Sequence, residues 1–155
     1  MYNLKPGLKF LNSKEIKEIR KKLEETFSLT EHLDYAYLIN ANNRVNIVTK
    51  EIDNLNLDLL MINSIGVYFC ELKDHEIRLS IEGSQIVGPL AKKNVLELDE
   101  EKARDWIRGQ DVDYPGSTKG FVIIKHKNDY MGCAKHKDGK LLNHVPKERR
   151  VRSKD

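Results

Sequence analysis

The chain has 155 residues, a formal net charge of +3 at pH 7, and is 39% hydrophobic and 33% charged. That length holds one ordinary domain or two small ones, and no apolar run is long enough to span a bilayer. Cys70 and Cys133 are far apart in sequence and outside any C-x-x-C pair, which excludes a zinc ribbon and a redox motif.

Residues 13 to 27, SKEIKEIRKKLEETF, place Ile16, Ile19, Leu23 and Phe27 on one stripe and predict an amphipathic helix. Ser13 or Asn12 is its N-cap, with Glu15 and Glu18 near the positive end of the dipole. YAYLI (35–39) and RVNIVTK (44–50) flank an Asn-rich turn and predict a hairpin. A Leu-rich piece (51–60) reads as a short helix. MINSIGVYFCEL (61–72) is β-rich around Gly66, and residues 73–76 form a polar turn.

From residue 76 the texture changes. Ile77, Leu79 and Ile81 alternate with polar residues as in a strand, and Ser84 is the expected cap of a short helical turn reaching Leu90. NVLEL (94–98) predicts a strand. DEEKARDWIRG (99–109) predicts a helix capped by Asp99, stopped by Gly109, with Ala103, Trp106 and Ile107 inward. DVDYPGSTKG (111–120) reads as a loop, with Pro115-Gly116 as its turn signal. GFVIIKHK (120–127) and YMGCAKHK (130–137) form a hairpin, and Asp138-Gly139 turns into KLLNHV (140–145). The fold class is α+β: a small N-terminal α/β domain over residues 1–75, then a small β-barrel with short helices over residues 76–155.

Charge is unevenly placed. Residues 119–155 hold eleven Lys and Arg against four Asp and Glu, whereas the rest of the chain is net acidic. A basic ending on an acidic body points to a polyanion, with well-solvated lysines as the equal alternative. The start, MYNLKPGLKF, has no apolar leader-like core, so the expectation is a cytoplasmic protein with no membrane partner, its cysteines small buried apolar groups.

DWIRGQDV (105–112), GFVIIKHKNDYMGCAKHKDG (120–139) and KLLNHVPKERR (140–150) resemble the PUA-like domain of rRNA 5-methylcytosine methyltransferases of the Nol/Nop/Fmu type. The shared positions are Arg108, Gly109, Asp111, Gly132, Gly139, Lys140, Asn143, Pro146, Lys147 and Arg150. The first half is similar in layout to the pre-PUA domain of Nip-seven-type ribosome-biogenesis factors, and the whole looks like an archaeal stand-alone PUA protein. Met131-Gly132-Cys133 departs from the family, whose hairpin often has aromatic residues around its glycine.

The resemblance implies binding of structured RNA, rRNA or tRNA, and does not imply catalysis; no cofactor is expected, and no carboxylate or cysteine recurs with metal-ligand spacing, so no metal is expected either. No glycine-rich loop follows a strand to hold S-adenosylmethionine, and no nucleophile–base pair is evident. Lys147, Arg149 and Arg150 are candidate phosphate contacts, against the alternative of a solvated tail. Lys125, Lys127, Lys135 and Lys137 read equally as an anion site or as an edge-protecting lysine ladder. Lys140 and Asn143 join the set through the resemblance. Gly83, Ser84 and Gly88 are the expected glycine turn that approaches RNA, against a plain strand-to-helix turn. His126, His136 and His144 read as surface or RNA-facing side chains, Trp106 as core, and Asp111 as a backbone tie.

The function expected is a non-catalytic RNA-binding protein of ribosome biogenesis or rRNA modification. The alternatives are a PUA-bearing translation factor contacting the small subunit or tRNA, and a protein-docking subunit of an RNA methyltransferase. A ribosome-assembly or methyltransferase protein is the corresponding protein partner.

Overall fold

The structure, a computed structural model, describes residues 7–49, 66–118 and 120–152. The Leu-rich piece at 51–60 lies outside these residues.

The first layer is an antiparallel sheet of five strands in sequence order: β1 (Lys9–Phe10), β2 (Tyr35–Ile39), β3 (Arg44–Thr49), β4 (Val67–Lys73) and β5 (Glu76–Leu79). Helix α1 (Ser13–Phe27) packs on it. Asn12 caps the helix through the Glu15 amide, and the Glu15 carboxylate reaches back to the Asn12 amide, a full capping box. Ile19, Leu23 and Phe27 are buried, as the stripe predicts. Each contributes about 1.5–3 kcal/mol by leaving water. The hairpin β4–β5 closes over Asp74 and His75, both with positive φ (51° and 64°), the backbone of a tight turn matching strand twist. Strand β5, beyond the expected boundary at 75/76, is thus the last strand of the first sheet.

The helical turn expected after β5 begins earlier than its sequence suggested. Helix α2 (Ile81–Val87) is capped by Ser80, whose hydroxyl accepts from the Gly83 amide at 2.9 Å, so Ser84 lies inside the helix. The same hydroxyl donates to the Tyr68 carbonyl at 2.5 Å, which fixes the helix start against β4. A 3-10 turn, Gly88–Leu90, follows.

The second sheet, a curled half-barrel, has the order β6 (Val95–Glu97), β8 (Phe121–His126), β9 (Asp129–Lys137), β10 (Lys140–Asn143), β7 (Val112–Asp113). Strand β7 lies where the sequence reads as loop; two residues pair with Lys140 and Leu141. Strand β6 is parallel to β8, which requires a crossover. Helix α3 (Glu100–Ile107) lies within that crossover, capped by Asp99 as expected. Its Trp106 is fully buried with Val122, Ile124, Ala134 and Leu141.

The two layers share one core. The cluster of Ile19, Phe27, Phe69 and Leu79 continues through Val87 into Ile123 and Cys133 of the barrel. Hydrogen bonds reinforce it: the Lys92 amide donates to the Phe27 carbonyl at 2.8 Å and the Asn94 side chain to the Thr26 carbonyl at 2.6 Å. These are orphan acceptors at the end of α1, satisfied from the second layer. Cys70 and Cys133 are free, buried thiols in this core, and desolvation raises the pKa of both, that of Cys133 to about 12.

Candidate nucleic-acid interface

A cleft of about 720 Å³ opens where the two sheets meet. Its first wall comes from β3, β4 and β5. Strand β4 carries a bulge: Val45 faces Cys70, but Asn46 faces Tyr68, leaving Phe69 as the extra residue. Phe69 and Cys70 are consequently both buried, and the strand is re-phased beyond them. Strict alternation would put Tyr68 on the side of Cys70. The bulge turns it instead to the side of Glu71.

Register then gathers the charges. Glu71 faces Arg44 on one neighbouring strand and Arg78 on the other. Arg78 pairs with the Glu71 carboxylate, and the Arg44 guanidinium lies over the Tyr68 ring at 5.5 Å. Arg78 thus holds the carboxylate, while Arg44, across the strand from it, stacks on the aromatic ring. Burial raises the Tyr68 phenol above its ordinary pKa, with Arg78 opposing that shift, so the ring stays neutral at pH 7.

The opposite wall comes from α2, β9 and the segment after β10. Two residues of β9, Met131 and Gly132, stand against one of β8, and Gly132 takes a φ of 102°. The Gly132 amide donates to the Ser84 hydroxyl at 2.9 Å, and the Met131 carbonyl accepts from the Trp106 indole at 2.9 Å. This second bulge is tied to α2 and α3. His144 Nδ1 sits 3.2 Å from the Arg78 guanidinium, its ring edge-on to Phe121. Arg149 reaches across to the Glu82 carboxylate at 2.5 Å. Val67, 43% exposed, is an uncovered apolar side chain in the lining.

The residues singled out in the sequence scatter around this cleft. Lys147 is exposed at the start of a 3-10 turn, Lys147–Arg149, and Arg149 lines the cleft. Arg150 turns onto the backbone. Its Nε donates to the Val145 carbonyl at 3.0 Å, and its side chain occupies the space that a Cβ on Gly109 would need.

The lysine ladder forms only in part: Lys135 and Lys137 share a face of β9 as expected, but the other pair does not. Lys127 is in the turn after β8 with a φ of 53°, so it shares no strand face with Lys125. Lys125 faces Tyr130 and lies over its ring at 5.4 Å. Lys135 faces Phe121, covers that ring at 5.2 Å, and bonds Glu76 at 2.5 Å. Lys137 and Lys140 do oppose each other, with Asp113 4.0 Å from the Lys140 ammonium.

Four positions are corrected. Gly83, Ser84 and Gly88 are buried and approach protein. A Cβ on Gly83 would sit 2.1 Å from the Phe69 carbonyl oxygen, and one on Gly88 would sit 2.2 Å from the Tyr130 ring. The glycine turn is a packing device between the layers. Asn143 spends its side chain internally: its amide donates to the Trp106 and Gln110 carbonyls at 2.7 and 3.0 Å, and its oxygen accepts from Val145. Asp111, the expected backbone tie, accepts from the Asn143 amide at 2.8 Å. The histidines are separate, His126 on the Leu98 carbonyl and His136 buried on that of Tyr114, and no metal-holding cluster exists among the described residues.

Arg44, Tyr68 and Arg78 were missed. The alternation in EIRLS places Arg78 opposite Ile77 and Leu79, but pairing with Arg44 and Tyr68 depends on strand register and on the bulge.

A curled antiparallel half-barrel with a parallel strand, an inserted helix and a bulged glycine hairpin defines a PUA-like domain. Residues 93–151 match the family described as the methyltransferase RsmF PUA domain. The chain is 29% identical over 90 residues to the ribosomal RNA small subunit methyltransferase F of Vibrio cholerae, covering 57% of this chain and 19% of that protein. It is 32% identical over 86 residues to that of Shewanella oneidensis, covering 54% and 18%. The C-terminal half is therefore a PUA-like domain related to that of rRNA methyltransferases, and the chain spans about a fifth of the length of these relatives. Among the described residues, no helix is long and apolar enough to cross a membrane.

Proposed function

We propose that the protein is a non-catalytic, cytoplasmic binder of structured rRNA that serves ribosome biogenesis or rRNA modification. The observation that carries this reading is the match of residues 93–151 to a PUA domain of rRNA methyltransferases, with the arginine-lined cleft at its edge. Lys147 and Lys137 flank the domain as exposed cations that hold phosphates, fixing position without reading sequence. Arg44, Arg78 and Arg149 face a strand entering the cleft. The N-terminal layer, expected to be a separate unit of residues 1–75, orients the RNA by supplying one wall.

A second reading is a detached specificity domain that docks on an RNA methyltransferase. The similarity of the C-terminal half to part of rRNA methyltransferases supports it.

Binding of a folded small-subunit rRNA fragment across a salt series tests the proposal. Wild type is expected to bind with a steep log-affinity slope, and an Arg44→Ala, Lys147→Ala double variant to lose about 0.7–0.9 of slope per phosphate contact removed. No binding at low salt, with capture of a methyltransferase instead, would replace this reading with the docking one.

A further inference from the structure

We propose that the cleft between the sheets takes the base of one unpaired nucleotide, flipped out of a stem and stacked on Tyr68. This deepens the RNA-binding reading and rests on it. It also assigns half of the site to residues outside the 93–151 family match, since Arg44, Tyr68 and Arg78 all precede it.

Three features select a base rather than a run of phosphates. The first is size: about 720 Å³ fits a nucleotide-sized ligand and is too small for a duplex. The second is the charge of the lining. Glu82 and Glu148 stand beside Arg149, so a continuous phosphate track would meet carboxylates, whereas a base edge offers N–H donors to them. The third is the surface. Val67 is uncovered, Met131 and Ile81 lie opposite, and Tyr68 already holds a planar guanidinium over its ring. Flat aromatic ligands replace or extend such a stack, and proteins read single-stranded RNA by this means. Arg44, exposed at the mouth, is placed to hold the phosphate of the same nucleotide.

The bulge in β4 is the device that builds the site, because without it Tyr68 would turn to the other side of the sheet. Ser80 pins that strand by donating to the Tyr68 carbonyl, so the ring sits on a fixed backbone.

The test compares two RNAs with the same stem: one carries a bulged 2-aminopurine, the other has that base paired. Wild type is expected to bind the bulged RNA about tenfold more tightly, with quenched 2-aminopurine fluorescence as the base stacks. Tyr68→Phe keeps the preference, and Tyr68→Ala reduces bulged RNA to the affinity of the paired one. Arg44→Ala, at an exposed position, weakens the preference without depending on core packing. Equal affinity for both RNAs with unquenched fluorescence in wild type overturns the nucleotide site and leaves RNA binding standing. Failure to bind either RNA overturns both readings.

Discussion

Two groups of cations make an instructive pair. Lys147, Arg149 and Arg150 are consecutive or nearly so in sequence, and the chain sends them in different directions. Lys147 goes to solvent, Arg149 across the cleft to Glu82, and Arg150 back onto the Val145 carbonyl. Arg44 and Arg78 are 34 positions apart in an unremarked stretch, and the sheet brings them to either side of one glutamate. A cluster in sequence thus disperses, and dispersed residues cluster. A run of like charges minimises repulsion by diverging, whereas cross-strand register brings distant residues to neighbouring positions, where Glu71 pairs with Arg78 and the Tyr68 ring carries Arg44.

The comparison breaks most severely at Gly83. If this glycine belongs to packing, Gly83→Ala loses about 3 kcal/mol, because the new methyl collides with the Phe69 carbonyl. Gly116→Ala is the control. Nothing lies within 4 Å of a Cβ there, and only its φ of 89° resists, so about 1 kcal/mol is expected. Urea unfolding of both measures the contrast. A normal midpoint for Gly83→Ala with RNA affinity lost would return Gly83 to the RNA surface.

A smaller effect separates the terminal cations. Arg150→Ala is expected to cost about 1 kcal/mol of stability through its lost hydrogen bond and its packing over Gly109. Lys147→Ala changes stability by less than about 0.5 kcal/mol. Equal losses in denaturant melts would show that the tail acts as one unit.

The smallest effect is a pH dependence at the cleft. Burial, then the Arg78 guanidinium, holds His144 below its ordinary value of 6.5; Asp111 and Glu71 act the other way, and Lys73 adds to the lowering. The unfolded chain therefore takes up this proton first as pH falls. Stability from His144 is whole above about pH 6.5 and declines from there down to the depressed folded value. Urea midpoints between about pH 8 and 5 should fall in wild type and fall less in His144→Gln. Parallel curves would mean that burial and Arg78 together do not hold His144 below its ordinary value.

Local signals were legible where a single element decides. The stripe of α1, the Asp99 cap, the hairpin 35–39/44–49 and the burial of Trp106 all follow from period and turn chemistry. The resemblance in residues 105–150 located the PUA-like half. What escaped depends on pairs far apart in sequence. The β4 bulge follows no local rule, so Tyr68 read as an ordinary strand residue. Ser80 and Ser84 are each plausible caps, and only the Tyr68 carbonyl beside Ser80 decides between them. The two-residue β7 is too short for periodicity and exists because β10 offers it an edge.

The core that runs from α1 into the barrel bears on heredity as well as on packing. A module that moves between proteins must carry its own interior. Here Ile123 and Cys133, within the family-matched segment, are covered by residues that precede it, and α1 completes its carbonyl partners from residues 92 and 94. This PUA-like half therefore shares its interior with the first layer. Transplanted alone, it would bare an apolar face; inherited with its first layer, it can change only in step with it.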